Sequence, residues 1–129
     1  MAEGTGHGDT LTVEVRLKQV YGVRSAEFDI PYDASALDFL GFTRGTALEQ
    51  SGQAPLYIVG TNSPGILTVA VNLLGPGSVD VTGTHVLVGL TFRARDSGTF
   101  QIAFQAPVLR DDNFQTIPVA WHSGTLRAD

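Results

Sequence analysis

The chain contains no cysteine, which excludes disulfides, thiolate nucleophiles and Cys-based zinc sites. A domain built from it has to hold together through its core. Charge is also scarce: 16% of residues are Asp, Glu, Lys or Arg, against 43% hydrophobic, a globular balance far from that of disordered chains. The few cations, Arg16, Lys18, Arg24, Arg44, Arg93, Arg95, Arg110 and Arg127, are dispersed along the chain. With thirteen acids against eight bases and a net charge of −5, there is no basic cluster to suit nucleic acid or anionic lipid. No apolar run approaches the ~20 residues of a membrane-spanning helix. No segment sustains a helical period of 3.6 residues. The opening MAEGTGHGD is small and polar, unlike a signal peptide. Residues 1–7 are expected to be a linker or tail, and the chain to be one module of a longer polypeptide.

Catalytic and metal-binding patterns are missing too. His7, His85 and His122 are far apart, and none has a ligand at a short metal spacing. Ser51-Gly52 and Ser97-Gly98 do not form a nucleophile elbow. Glu27 and Asp29 share one strand face about 6.5–7 Å apart by strand rise. Any alternating acidic strand has that spacing, and a flat face offers no enclosure to shift their pKa values. Asp111, Asp112 and Asn113 lie together, with Asp96 as a candidate neighbour. Calcium favours such oxygen ligands, but the spacing of a calcium loop is absent, and Asp and Asn are ordinary turn residues. The turn is the preferred reading, and no catalytic or metal site is expected.

What the chain does have is a period of two. In Gly22–Asp33, Ala26, Phe28, Ile30 and Tyr32 alternate with Ser25, Glu27, Asp29 and Pro31. Successive strand side chains point to opposite faces, so one face can pack a core and the other is a flat polar surface. Leu11, Val13, Val15 and Leu17 mark an earlier strand, and Leu37 and Phe39 a short later one. Leu56–Val59 and Ile66–Leu73 flank a turn-rich GTNSPG, and Val86–Ala94 is a long strand. Phe100, Ile102 and Phe104 continue the alternation, and Trp121–Arg127 supplies a last strand. Ala34–Leu40 and Thr46–Gly52 each have room for one helical turn, and 43–54 and 74–85 read as long loops. Fifteen glycines and six prolines spread along 129 residues fit many short strands. The expectation is one all-β sandwich of eight or nine strands over residues 8–129, burying roughly 65–70% of its unfolded surface.

The order of these segments resembles a cohesin module. The matching features are Gly8-Asp9 before an alternating strand, Gly22-Val23 with Ala26 and Phe28, Tyr32-Asp33, and Leu37 with Phe39. GILTVAVNLLG, HVLVGLTFRARDSGTFQIAF and VLRDDNFQTI then follow in the family's order, so the resemblance covers about residues 8–127. It implies a nine-stranded jelly-roll sandwich with no enzymatic activity and no cofactor of its own. Its partner would be a dockerin, and any calcium would belong to that dockerin. Localisation would be extracellular or at the cell surface, within a larger secreted protein. One departure stands out: the family's strand before Gly-Asp has only MAEGTGH in its place, which is not strand-like. That strand is either absent, cut away, or replaced by the C-terminal strand. If it is missing, the unpaired N-terminal sheet edge invites pairing with another chain, and a homodimer through that edge is the hypothesis that follows.

The resemblance places the partner on a sheet face built from 22–33, 55–60, 66–73 and 99–105. Carried over residue by residue, the face comprises Ser25, Glu27, Tyr57, Val59, Thr61, Asn72, Leu74 and Phe114. Polar residues with a few apolar anchors suit the burial of a partner helix. Two other functions compete. A carbohydrate-binding module would need a row of exposed aromatics, but Trp121 and Tyr32 read as core and only Tyr57 falls on the candidate face. A ligand-free structural sandwich of a surface protein is the third reading.

Overall fold

The computed structural model describes residues 2–7, 10–49, 52, 54–95 and 98–128. Gly8-Asp9, Ser51, Asp96 and Ser97, all used above, lie outside the described residues. Eleven strands are found among the described residues: β1 (Ala2–His7), β2 (Thr10–Val23), β3 (Ser25–Pro31), β4 (Leu37–Arg44), β5 (Leu56–Ser63), β6 (Ile66–Asn72), β7 (Val79–Ala94), β8 (Gly98–Ile102), β9 (Gln105–Arg110), β10 (Thr116–Ile117) and β11 (Gly124–Ala128). One sheet runs β1-β2-β7-β4 and a second β10-β9-β3-β6-β5, while β8 and β11 form a two-stranded ribbon. Each recorded pairing is antiparallel. The result is the expected all-β, jelly-roll-like sandwich.

Alternation explains the core. Leu11, Val13, Val15 and Leu17 of β2 are buried, as are Ala26, Phe28 and Ile30 of β3 and Leu67, Val69 and Val71 of β6. Leu87, Val88, Leu90 and Phe92 of β7 sit between β2 and β4 and are fully buried. Phe92 lies within ring contact of Tyr32, at 5.4 Å, and of Phe39, at 5.5 Å. Between β4 and β5 the loop folds inward. Ala47 and Leu48 are fully buried, and the backbone stays bonded to β7 through Gly45 N–H to Leu87 O (3.2 Å) and Ala47 N–H to Val86 O (3.0 Å). A Cβ on Gly45 would stand 1.9 Å from Val86 O, where no flexible side chain can give way. Gly45→Ala should therefore destabilise by about 3 kcal/mol, the upper end of ordinary overpacking, measured by chemical denaturation. An unchanged midpoint would show that this segment can leave β7 freely.

Five expectations need correction. Residues 2–7 are strand β1, paired with β2 from Ala2↔Val15 to His7↔Thr10, and not a tail. Ladder hydrogen bonds need no apolar side chains, so periodicity has nothing to detect in AEGTGH. That pairing occupies the edge through which a homodimer was expected, and β11 lies against β1 as well, so the ground for that expectation is gone. The stretch 79–85 is the start of β7 rather than a loop: Val79 and Val81 pair with Val23 and Val20, leaving 74–78 as the connection. Finally, of 99–105 only Gln105 joins the partner-face sheet. β8 pairs with β11, and it is β9, beyond the break at Ala103-Phe104, that pairs with β3. The last strand begins at Gly124, so Trp121 lies in the preceding connection.

Candidate surface for partner recognition

The outer face of the second sheet can be assembled row by row from its register, because directly opposed residues share a face. The first row is Thr116, Arg110, Ser25, Asn72 and Leu56. The second is Val108, Glu27, Ala70 and Ile58. The third is Gln105, Asp29, Thr68 and Gly60. Two residues of β9, Ala106 and Pro107, bulge between the second and third rows, with Ala106 at φ 50°. The bulge flanks a shallow depression bordered by Glu27, Asp29, Thr68 and Ala70. Bulges of this kind bend a strand locally and re-aim its side chains.

Polar and apolar groups divide this face. Arg110 Nη1 lies 3.3 Å from Glu27 Oε2 across β9 and β3. Both side chains are only partly buried, so the pair contributes at most about 1 kcal/mol to folding. It does hold two opposite charges ready near the centre of the sheet. Leu56 and Ile58 on β5 are 42% and 55% exposed. At the Ser25 end, Arg24 ties two loops together. Its Nη1 donates to Gly75 O (2.7 Å) and Gly77 O (3.0 Å), and its guanidinium stands 5.8 Å from the centre of the Phe114 ring. Leu74 and Phe114, 68% and 71% exposed, belong to those two loops.

The β9–β10 loop is organised by Asp111, whose carboxylate accepts the Asn113 N–H (2.9 Å) and the Gln115 N–H (3.0 Å). The acidic cluster thus forms a turn. Phe114 adopts φ 61° there, a left-handed conformation that costs a non-glycine residue on the order of 1 kcal/mol or more. The loop carries that strain while leaving the ring in solvent.

The eight predicted residues fare unequally. Glu27, Asn72, Leu74 and Phe114 are on the face or at its end. Ser25 is also on it, but it is only 7% exposed and offers little contact area. Tyr57 and Val59 are on the opposite face, opposed to Val71 and Val69, and both belong to the core packing. The Tyr57 hydroxyl donates to the carbonyls of Gly45 (3.2 Å) and Leu87 (3.3 Å). Burial raises its pKa above the ordinary 10.0, so it remains a donor. Phe42 stacks on its ring at 5.9 Å and Arg44 lies 5.4 Å from its centre. Thr61, opposed to buried Leu67, shares this inner phase at the exposed strand end. The outward residues of β5 are Leu56 and Ile58. The run Leu56-Tyr57-Ile58-Val59 does not alternate, so its phase is invisible in sequence. Ala70, Val108 and Arg110 were missed as well, because only cross-strand register brings them beside Glu27. Trp121 packs against Phe104 and Phe28, with ring centres 4.9 and 6.0 Å apart.

Comparison with known proteins adds to this geometry. The family profile described as "Cohesin domain" matches residues 2–126. The seventh ScaB type I cohesin from Pseudobacteroides cellulosolvens superposes with a TM-score of 0.79 at 15% identity, covering 99% of this chain and 90% of that one. The sixth cohesin of Acetivibrio cellulolyticus scaffoldin B, solved with a dockerin, gives 0.76 at 20% identity over 99% and 97%. A non-cellulosomal cohesin from the archaeon Archaeoglobus fulgidus gives 0.76 at 16% identity over 99% and 90%. At such identities the likeness establishes the fold. No curated protein matches the chain.

Proposed function

The chain belongs to the cohesin family, and on that premise we propose that it is a non-catalytic module whose outer β9-β3-β6-β5 face binds a calcium-loaded dockerin. One observation carries the assignment of the face. Of the seven large hydrophobic residues exposed among the described residues, four (Leu56, Ile58, Leu74 and Phe114) lie on that face or at its end. Such anchors around a charged centre suit the burial of a partner helix, with apolar contact supplying affinity and the Glu27–Arg110 pair and Asp29 fixing orientation. The acetivibrio relative, captured with a dockerin, supports the same class of partner. The module would join dockerin-bearing proteins, polysaccharide-degrading enzymes among them, to a larger secreted or surface protein. No helix among the described residues is long and apolar enough to cross a membrane.

Titration calorimetry against the dockerin-like modules of the same genome tests this. Saturable binding to one of them in calcium, lost in chelator, is the expected result. Absence of binding to all of them would sink the proposal. Glu27→Lys places a cation beside Arg110 and should weaken the complex by about tenfold or more, with thermal stability essentially unchanged. Unchanged affinity would remove Glu27 from the site.

A further inference from the structure

The sandwich has a second recess, on the other side of β9 from the partner face. β1 pairs with β2 only as far as Val15. Beyond that point the neighbour of β2 is the connection between β10 and β11, and about 340 Å³ of space opens between them. That volume falls at the lower end of small-molecule sites, roughly 300–1,000 Å³. Its floor is apolar: Leu17, Val20 and Leu109 are each less than a tenth exposed, and Trp121 completes the wall. Its rim is of the opposite character. Lys18, Arg16 and His122 border it, and no carboxylate lines it among the described residues, in a chain where acids outnumber bases thirteen to eight. Arg16 also meets Glu14, which leaves Lys18 as the principal cation.

The backbone contributes as well. The register of β2 shifts between Val15 and Arg16 and again between Lys18 and Val20, with Gln19 at φ 48°. The Gln19 side chain holds this bulge by accepting the Gly83 N–H of β7. Bulges and strained residues collect where a side chain is re-aimed beside a site.

We propose that this recess binds a small organic anion with an apolar body, its hydrocarbon part against Leu17, Val20 and Trp121 and its charge beside Lys18. Leu109 reaches the recess from the inner side of β9, whereas Val108 and Arg110 of the same strand are on the partner face. The recess and the partner face thus lie on opposite sides of β9, and neither proposal stands on the other.

Trp121 is the only tryptophan and reports directly. Titration with anilinonaphthalene sulfonate should quench its emission saturably, with a dissociation constant in the tens of micromolar expected of such a probe. The uncharged analogue phenylnaphthylamine should bind at least about tenfold more weakly. Lys18→Glu, a change at an exposed position, should weaken the sulfonate by about tenfold without lowering the melting temperature. Ala120→Phe, which fills the recess without altering charge, should abolish the quench. No saturable quenching, equal affinity for the two probes, wild-type affinity in Lys18→Glu, or retained binding in Ala120→Phe would each overturn the proposal.

Discussion

Phe28→Ala should destabilise the domain by about 3–5 kcal/mol, the range found for deletion of a buried aromatic ring. For a chain of this length that lowers the melting temperature by roughly 10–20 °C. Phe28 is 2% exposed and is opposed to buried Val69 on β6. Its ring meets Phe104 edge-on at 5.1 Å and lies 6.0 Å from Trp121. The three rings join β3 to the Ala103-Phe104 break and to the connection before β11, so their loss would loosen segments that no long ladder secures. The cavity left by the ring is bordered by strands fixed on both sides, β6 and β9, which limits relaxation. Differential scanning calorimetry checks the size of the effect, and the emission of Trp121 should shift with the lost contact. A near-neutral melting change would mean that the inward phase of β3 is wrong.

Ile58→Asp should weaken dockerin binding by about 100-fold or more, the scale of a lost hot-spot anchor of about 2.7 kcal/mol or above. Folding stability should stay within about 1 kcal/mol, because the side chain is 55% exposed. Ile58 shares a row with Ala70, Glu27 and Val108. An aspartate there both removes apolar area and adds a third carboxylate to a face that already holds Glu27 and Asp29. Binding measured beside the unfolding midpoint separates contact from folding. Wild-type affinity would take β5 out of the interface, while a large drop in stability would place Ile58 in the core and return Tyr57 and Val59 to the surface.

The sequence was most legible where one face of a strand is continuously apolar. In β2 and β3 the alternation identifies both the strand and its buried side, so Phe28 inside and Glu27 outside follow without coordinates. It was least legible where apolar residues run together or are absent. Leu56-Tyr57-Ile58-Val59 satisfies either phase, and the choice depends on Tyr57 reaching the Gly45 and Leu87 carbonyls from the inside. AEGTGH carries no pattern, and its strand exists because β2 offers it ladder partners. The alternation Phe100, Ile102, Phe104 crosses from one sheet to another, a change that leaves the period of two intact up to the break.

By itself, then, the sequence determined the all-β class, the family and the inward set of the central strands, because burial acts on single side chains and writes its period locally. Which residues stand together on the partner face, the closure of the β2 edge by β1, the ion pair of Glu27 with Arg110 and the recess beside Trp121 were decided by tertiary structure alone. Each depends on register between strands far apart in the chain, and register is a property of the pair that neither strand encodes alone.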